Sequence, residues 1–136
     1  MAGTVKKVIE VSTQVDDAPG VMAQMTAILR DAGINLKAAG GWTKGGGQAT
    51  LMCIPDDPAA LRALAAREGV AIQEKAVVWV EGADRPGALV EFTSKLAAAG
   101  INIVGCKALA VGGNFAAIFS FQNEQVVDRA VALLSG

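Results

Sequence analysis

Two short segments of this sequence carry residue types that suit the binding of a small charged molecule. Asp17–Gly20 and Asp84–Gly87 share the pattern Asp-x-Pro-Gly, and each stands between a strand-like run and a helix-like run. Proline fixes the backbone torsion at the entry, and glycine lets another backbone or a ligand approach closely. The amides of the first helical turn lack partners within the helix, and the helix dipole adds positive potential there. These helix starts therefore predict an anion site, suited to a carboxylate.

A Gly-Ile-Asn segment follows each of these turns, as Gly33–Asn35 and Gly100–Asn102. Glycine is the residue that most often ends a helix, because it adopts the left-handed conformation. The asparagine amide offers both a donor and an acceptor, which suits a zwitterionic ligand.

Each of these polar residues also has a simpler structural role that stays open. Asp17 and Asp84 are good helix caps, because Asp accepts hydrogen bonds from the first amides of a helix. Asn35 and Asn102 can stabilise a turn by bonding to nearby backbone. Capping by the aspartates does not compete with ligand binding by the amides beyond them.

Both motifs recur at one spacing of 67 residues, which separates Asp17 from Asp84 and Asn35 from Asn102. Hydrophobic packing alone would not repeat Asp, Pro, Gly and Asn at fixed positions. A repeat of this length predicts two copies of a supersecondary unit, residues 1–69 and 70–136. Because each half is too short for a large core of its own, we expect the halves to pack and fold together.

The hydrophobic pattern predicts the same order of elements in each half. A strand and a helix with an apolar stripe are followed by a hairpin of two strands and a second helix, which gives a β-α-β-β-α-β unit of the ferredoxin-like kind. Asp57 and Pro58 predict a capped start for the first unit's second helix. The chain stops at Gly136 before the second unit's fourth strand, so we expect residues 3–14 to supply it.

The doubled Asp-x-Pro-Gly turn, followed by Gly-Ile-Asn in such a unit, resembles the ACT domain, here as two tandem copies with no attached enzyme domain. ACT domains pair side by side, bind amino acids at the interface between domains, and regulate metabolic enzymes or transcription. The resemblance implies an α+β fold. In it, two ferredoxin-like βαββαβ units are packed side by side into an eight-stranded antiparallel sheet with four helices on one face.

The resemblance also implies which residues contact a ligand. They come from the turn after the first strand and from the start of the second strand of each copy. Arg85 replaces Ala18 and makes the second turn more positive, so its guanidinium either pairs with the ligand carboxylate or is solvated. The predicted ligand-binding residues are Asp17, Pro19, Gly20, Val21, Met22 and Asn35 in the first copy, and Asp84, Arg85, Gly87, Ala88, Leu89 and Asn102 in the second.

Composition narrows the classes of function. The sequence has no histidine and no tyrosine, which removes Ser-His-Asp triads, histidine bases and the usual zinc sites, so we predict neither an enzyme nor a metal or cofactor. A net charge of −1 gives no electrostatic case for nucleic acid or a membrane surface. Without a signal-peptide core or a long apolar run, we predict a cytoplasmic protein. Cys53 and Cys106 are predicted to be small buried side chains.

Together these features predict a regulatory protein that binds a free amino acid at the interface between its two repeats. A metabolic enzyme or a regulator would read the bound state, and a homodimer is possible. The alternative is a protein-protein interaction or assembly module that binds no ligand.

Overall fold

A computed structural model that describes residues 3–136 contains ten elements in the order expected from the sequence. The six strands are β1 (Thr4–Asp16), β2 (Leu36–Gly45), β3 (Gln48–Pro55), β4 (Gln73–Ala83), β5 (Gly105–Val111) and β6 (Asn114–Ser120). The four helices are α1 (Val21–Asp31), α2 (Pro58–Glu68), α3 (Ala88–Ala98) and α4 (Glu124–Ser135).

All six strands belong to one sheet, in the order β2-β3-β1-β4-β6-β5. The pairs β1–β3, β2–β3, β4–β6 and β5–β6 are antiparallel. The expectation of an eight-stranded sheet made by two complete units is therefore wrong. The chain forms a six-stranded sheet with four helices.

The difference in strand number has a simple cause in the length of two strands. β1 has 13 residues and β4 has 11 residues. β1 contains neither proline nor an interior glycine, the residues that would break a strand or bend it. The sequence predicts long strands over residues 3–14 and 70–81 that each serve both units, and the count of eight includes each of them twice. Each is one continuous strand, β1 or β4, of the six-stranded sheet.

The chain divides into two compact units. The middle unit is Ile9–Lys75, and the terminal unit consists of the described residues up to Val8 together with Ala76–Gly136. β1 and β4 each contribute a segment to both units. The repeat boundaries inferred from the sequence, at residue 69, stay a prediction.

The terminal unit has an aromatic core between its helices and its strands. The rings of Phe92 on α3 and Phe115 on β6 are tilted by 57° with centroids 5.9 Å apart, a favourable arrangement for an aromatic pair. Val5 packs against this core from β1. The buried members of the cluster are Val78, Val80, Ala88, Phe92, Leu96, Ile101, Phe115, Ala117, Phe119, Phe121, Val127, Ala130 and Leu134.

The middle unit has a smaller core. Its buried cluster consists of Val11, Leu61 and Leu64, with a ring of partly buried residues around it. α1 contributes no buried residue, whereas its counterpart α3 buries three side chains. The side chains under α1 are therefore packed less completely than those under α3.

Candidate functional site

The two Asp-x-Pro-Gly turns are anchored in the same way within their own units. The amide of Asp17 donates to the carbonyl of Gly47 at 2.9 Å, and the amide of Asp84 donates to the carbonyl of Gly113 at 2.9 Å. Each acceptor lies in the glycine turn of the following hairpin. Gly47 and Gly113 thus belong to hairpin turns, and the carbonyl of each holds the start of a helix in place.

The helices that follow these turns begin without a capping side chain. Gly20 and Gly87 occupy the N-cap positions with φ of 87° and 85°, and no side chain bonds to the first amides. A capping side chain acts from the N-cap position itself, and Asp17 and Asp84 lie three residues before it. The alternative role of these two aspartates as helix caps is therefore wrong.

The uncapped start leaves backbone donors at the first turn of α3. The amide of Ala88 is used by the turn, since it donates to the carbonyl of Arg85 at 3.0 Å. The next amides, of Leu89 and Val90, lie in the stretch of a helix that has no intrahelical acceptor. They can serve a ligand that offers an acceptor.

A cavity of ≈ 300 Å³ lies at this helix start in the terminal unit. Five of the six ligand residues predicted for the second copy line it. Sequence reasoning missed its other walls, which come from α3, β5 and β6. The lining consists of Asp84, Arg85, Gly87, Ala88, Leu89, Val90, Ala108, Leu109, Ala110 and Phe115.

Two features of β5 could have pointed to this wall. The strand is apolar along most of its length, with Lys107 as its only charged residue. It also lies at an edge of the sheet, where exposed apolar residues are unusual. Leu109 and Val111 are 65% and 70% exposed.

The corresponding turn in the middle unit is more open. Asp17, Pro19 and Gly20 are exposed and Val21 is partly buried. Met22 lines a cavity, but that cavity lies beneath α1 and is bounded by both helices and the sheet of the middle unit. The structure therefore places the six residues predicted for the first copy in different surroundings from their counterparts.

Asn35 and Asn102 lie away from the Asp-x-Pro-Gly turns. Asn35 donates through Nδ2 to Oδ2 of Asp56 at 2.9 Å, and its carbonyl accepts from the amide of Asp56 at 3.0 Å. Asn102 is exposed at the equivalent place. An 11-residue helix separates each asparagine from its turn, a rise of about 16 Å. One amino acid cannot contact the turn and the asparagine of the same unit.

Charge at the second turn is balanced locally. The guanidinium of Arg85 pairs with the carboxylate of Glu91 in the first turn of α3. This pairing places the positive charge of Arg85 next to a side chain of opposite sign, so the backbone amides are the main donors toward the cavity. Asp84 adds a carboxylate to the lining.

Neither a cluster of metal-ligating side chains nor a membrane-spanning helix is found among residues 3–136. No group of three or more His, Cys, Asp or Glu side chains could hold a metal ion. None of the helices in that range has the length and apolar character needed to cross a membrane.

Solved structures of similar shape are known. Protein BT0572 from Bacteroides thetaiotaomicron superposes with a TM-score of 0.82 at 22% identity, covering 98% of this chain and 88% of that chain. The ligand-free regulatory subunit of aspartate kinase from Thermus thermophilus gives 0.66 at 16% identity, with 98% and 95% covered. A putative C-terminal regulatory domain of aspartate kinase from Porphyromonas gingivalis gives 0.59 at 13% identity, with 98% and 94% covered. No protein-family model and no curated protein matches the sequence.

The fold is ACT-like. These likenesses concern the fold, because each pair of sequences shares fewer than a quarter of its residues. The expected location of a ligand between the repeats stays a prediction.

Proposed function

We propose that this protein is a regulatory module that binds a free amino acid at the Asp84–Leu89 turn of the terminal unit. The cavity of ≈ 300 Å³ beside the uncapped start of α3 carries the proposal. Its volume is at the lower end of the range for small-ligand pockets. The similar structure from Thermus thermophilus is the regulatory subunit of an aspartate kinase, which supports a regulatory role.

The residues at the turn suit the two charges of an amino acid. The ligand carboxylate accepts hydrogen bonds from the amides of Leu89 and Val90, where the helix dipole also favours an anion. The ammonium pairs with the carboxylate of Asp84. This assignment replaces Asn102, which lies at the other end of α3.

The rest of the cavity suits an apolar side chain. Ala108, Leu109 and Ala110 on β5 and Phe115 on β6 line the side away from the turn. These side chains carry no hydrogen-bonding group, so an apolar ligand side chain gains contacts there that a charged one does not. We therefore expect small apolar amino acids to bind better than acidic or basic ones.

In this proposal the protein performs no chemistry on its ligand. Binding would stabilise the arrangement of the turn, α3 and the β5–β6 hairpin, because the turn is already bonded to the hairpin through Asp84 and Gly113. A partner enzyme or regulator in the cytoplasm would respond through its preference for the stabilised state.

The first test is a thermal melt of the purified protein against each of the twenty amino acids. At roughly 100 times its Kd a ligand adds about 2.7 kcal/mol to stability, which corresponds to a shift of roughly 8 °C at ~3 °C per kcal/mol. We expect a shift confined to a few apolar amino acids.

A matched pair of variants locates the site. Gly87→Leu places a side chain in the lining, and Gly20→Leu introduces the same strain, because the two φ values are 85° and 87°. We expect both variants to lose stability to a similar degree, and only Gly87→Leu to lose the ligand shift. A full ligand shift in Gly87→Leu would overturn the assignment.

A second candidate function is an assembly module. The exposed apolar residues Leu109 and Val111 on the edge strand β5 favour it, because such edges pair readily with other chains, a second copy included. A melting temperature that none of the twenty amino acids changes at millimolar concentration would favour this candidate over the sensor.

A further inference from the structure

Aromatic residues are distributed unevenly between the two units. The sequence has four phenylalanines, and all four belong to the buried core of the terminal unit. They lie on α3, on β6 and just after β6. The middle unit has the same order of elements but contains no phenylalanine.

Strand pairing and helix position identify the residues that take their places. Val78 pairs with Phe119 in the terminal unit, and Val11 pairs with Cys53 in the middle unit. Because Val11 and Val78 are equivalent in the repeat, Cys53 stands in the place of Phe119. Met25 is the fifth residue of α1, as Phe92 is the fifth residue of α3.

The other two rings are also replaced by smaller side chains. Phe115 pairs with Gly82, and Ala49 pairs with Val15, the repeat equivalent of Gly82. Continuing this equivalence along β3 and β6, Pro55 takes the place of Phe121. The middle unit therefore keeps the backbone of this packing arrangement but lacks its four rings.

Leu51, which stands in the place of Ala117 by the same strand pairing, restores part of the missing volume but not all of it. A cavity of ≈ 100 Å³ lies between α1, α2 and the sheet of the middle unit, with an almost wholly apolar lining. Met25 and Cys53, which replace two of the rings, both line it. Leu29, Leu61 and Leu64 form further walls.

Two further observations describe the character of this cavity. Burial raises the pKa of the Cys53 thiol to about 11, with the Glu10 carboxylate adding to the effect, so the thiol is neutral at physiological pH. Met22 lines the cavity and is 49% exposed, which provides a flexible side chain at an entrance.

We infer that the cavity of the middle unit is a binding site for a small planar apolar ring, such as an aromatic hydrocarbon or an indole. Such a molecule would occupy the volume that phenylalanine rings fill in the terminal unit. Apolar cavities in proteins can take up benzene-like molecules. Methionine walls adapt to a flat ring, and their sulfur atoms make favourable contacts with its edge. A charged ligand would lose its hydration without compensation.

The test uses the full chain with toluene and indole as probes and benzoate as a charged comparison. At ten times its Kd a bound probe should raise the melting temperature by roughly 4 °C. We expect toluene and indole to give such a shift and benzoate to give none. Absence of a shift with both neutral probes up to their solubility limits would overturn the inference.

Two variants assign the shift to this cavity. Met25→Phe restores the ring found at Phe92 in the terminal unit and should abolish the probe-dependent shift. Val104→Phe is the matched control, because it adds the same ring at a position that is 61% exposed and outside the cavity lining. It should keep the full shift. A shift that persists in Met25→Phe would contradict the assignment.

Further measurements keep the test decisive. If Met25→Phe does not fold, Cys53→Phe fills the cavity from the sheet side and should have the same effect on probe binding.

Sedimentation at two protein concentrations separates ring binding from association of two copies over α1. A probe shift that follows dimer formation would overturn the inference. The amino acid response of Met25→Phe should equal that of the wild type, so the two proposed sites can fail independently.

Discussion

Side-chain volume at a few positions separates the two units, although their turns follow the same backbone path. Gly20 and Gly87 have nearly equal φ values, and the amides of Asp17 and Asp84 make the same 2.9 Å hydrogen bond. Cys53, by contrast, stands where the terminal unit has Phe119. A thiol is much smaller than a phenyl ring, so this substitution opens space without disturbing the strand pairing.

The two cysteines should differ in reactivity. Cys53 is partly buried with its pKa raised to about 11, so little thiolate forms at pH 8. Partial burial also raises the pKa of the Cys106 thiol, but this residue is exposed to a reagent, contrary to the prediction that both cysteines are buried. We expect iodoacetamide at pH 8 to label Cys106 first, and both cysteines equally once urea unfolds the protein. Peptide mass spectrometry measures both rates, and equal labelling of the native protein would contradict the burial of Cys53.

The raised pKa of Cys53 also implies that the protein loses stability at high pH. The folded pKa of about 11 exceeds the ordinary value of 9.0, so the stabilisation linked to this thiol is complete below pH 9. It is lost as the pH rises from 9 toward 11, because the unfolded chain releases its proton first. The Cys53→Ala variant should lack this part of the decline.

At the scale of elements, the four helices begin in two different ways. α2 starts at Asp57, whose Oδ1 accepts from the amides of Ala59 at 3.1 Å and Ala60 at 3.2 Å. α4 starts at Asn123, which accepts from the amide of Val126 at 3.0 Å. α1 and α3 start at glycines without a side-chain cap. The second helix of each unit is thus closed to an anion, and the first helix is open to one.

Replacing Asp57 by alanine should lower the stability of the protein, whereas replacing Asp17 should not. Asp57→Ala should lower the free energy of unfolding by about 1 kcal/mol, because two amides of α2 lose their acceptor. Asp17→Ala removes a carboxylate that caps no helix, so its effect should stay within ~0.5 kcal/mol. Urea denaturation measures both. A loss of similar size in Asp17→Ala would show that its side chain stabilises the start of α1.

At the scale of the whole molecule, the first residues of the chain belong with its second half. Val5 packs against the core of the terminal unit. The Nζ atom of Lys7 lies 2.9 Å from Oδ1 of Asp128 and 3.2 Å from Oε2 of Glu124 on α4. These two carboxylates raise the pKa of Lys7. The first part of β1 thus contacts a unit whose other residues lie far away in sequence.

Deleting residues 1–6 should therefore destabilise the terminal unit in preference to the middle unit. The deletion removes Val5 from the core and most of the β1 segment that belongs to this unit. Hydrogen exchange should show faster exchange in β6 and α4 than in β3 and α2. Val11→Ala, in the core of the middle unit, should give the reverse pattern. Unchanged exchange in β6 and α4 after the deletion would contradict the role of these residues.

Local signals predicted the elements well, because they act over a few residues. Alternating and helical periodicities located the strands and helices, and glycine marked the hairpin turns and the ends of the first helices. Asp57 followed by Pro58 was recognised as a helix start because both effects are contained within one turn of backbone. The same reasoning failed at Asp17, since it cannot tell which residue before a helix occupies the N-cap.

By itself, the sequence determined the order of elements, the doubled turns and the position of their glycines, because short-range torsional and hydrogen-bonding preferences decide them. Only the tertiary structure decided that the strands form one six-stranded sheet in the order β2-β3-β1-β4-β6-β5, since strand order depends on pairing between distant segments. It also separated Asn35 from its turn by the length of α1. The cavity of the middle unit lies beside Met25 and Cys53, which take the places of two rings, and it forms only when α1 is packed on the sheet.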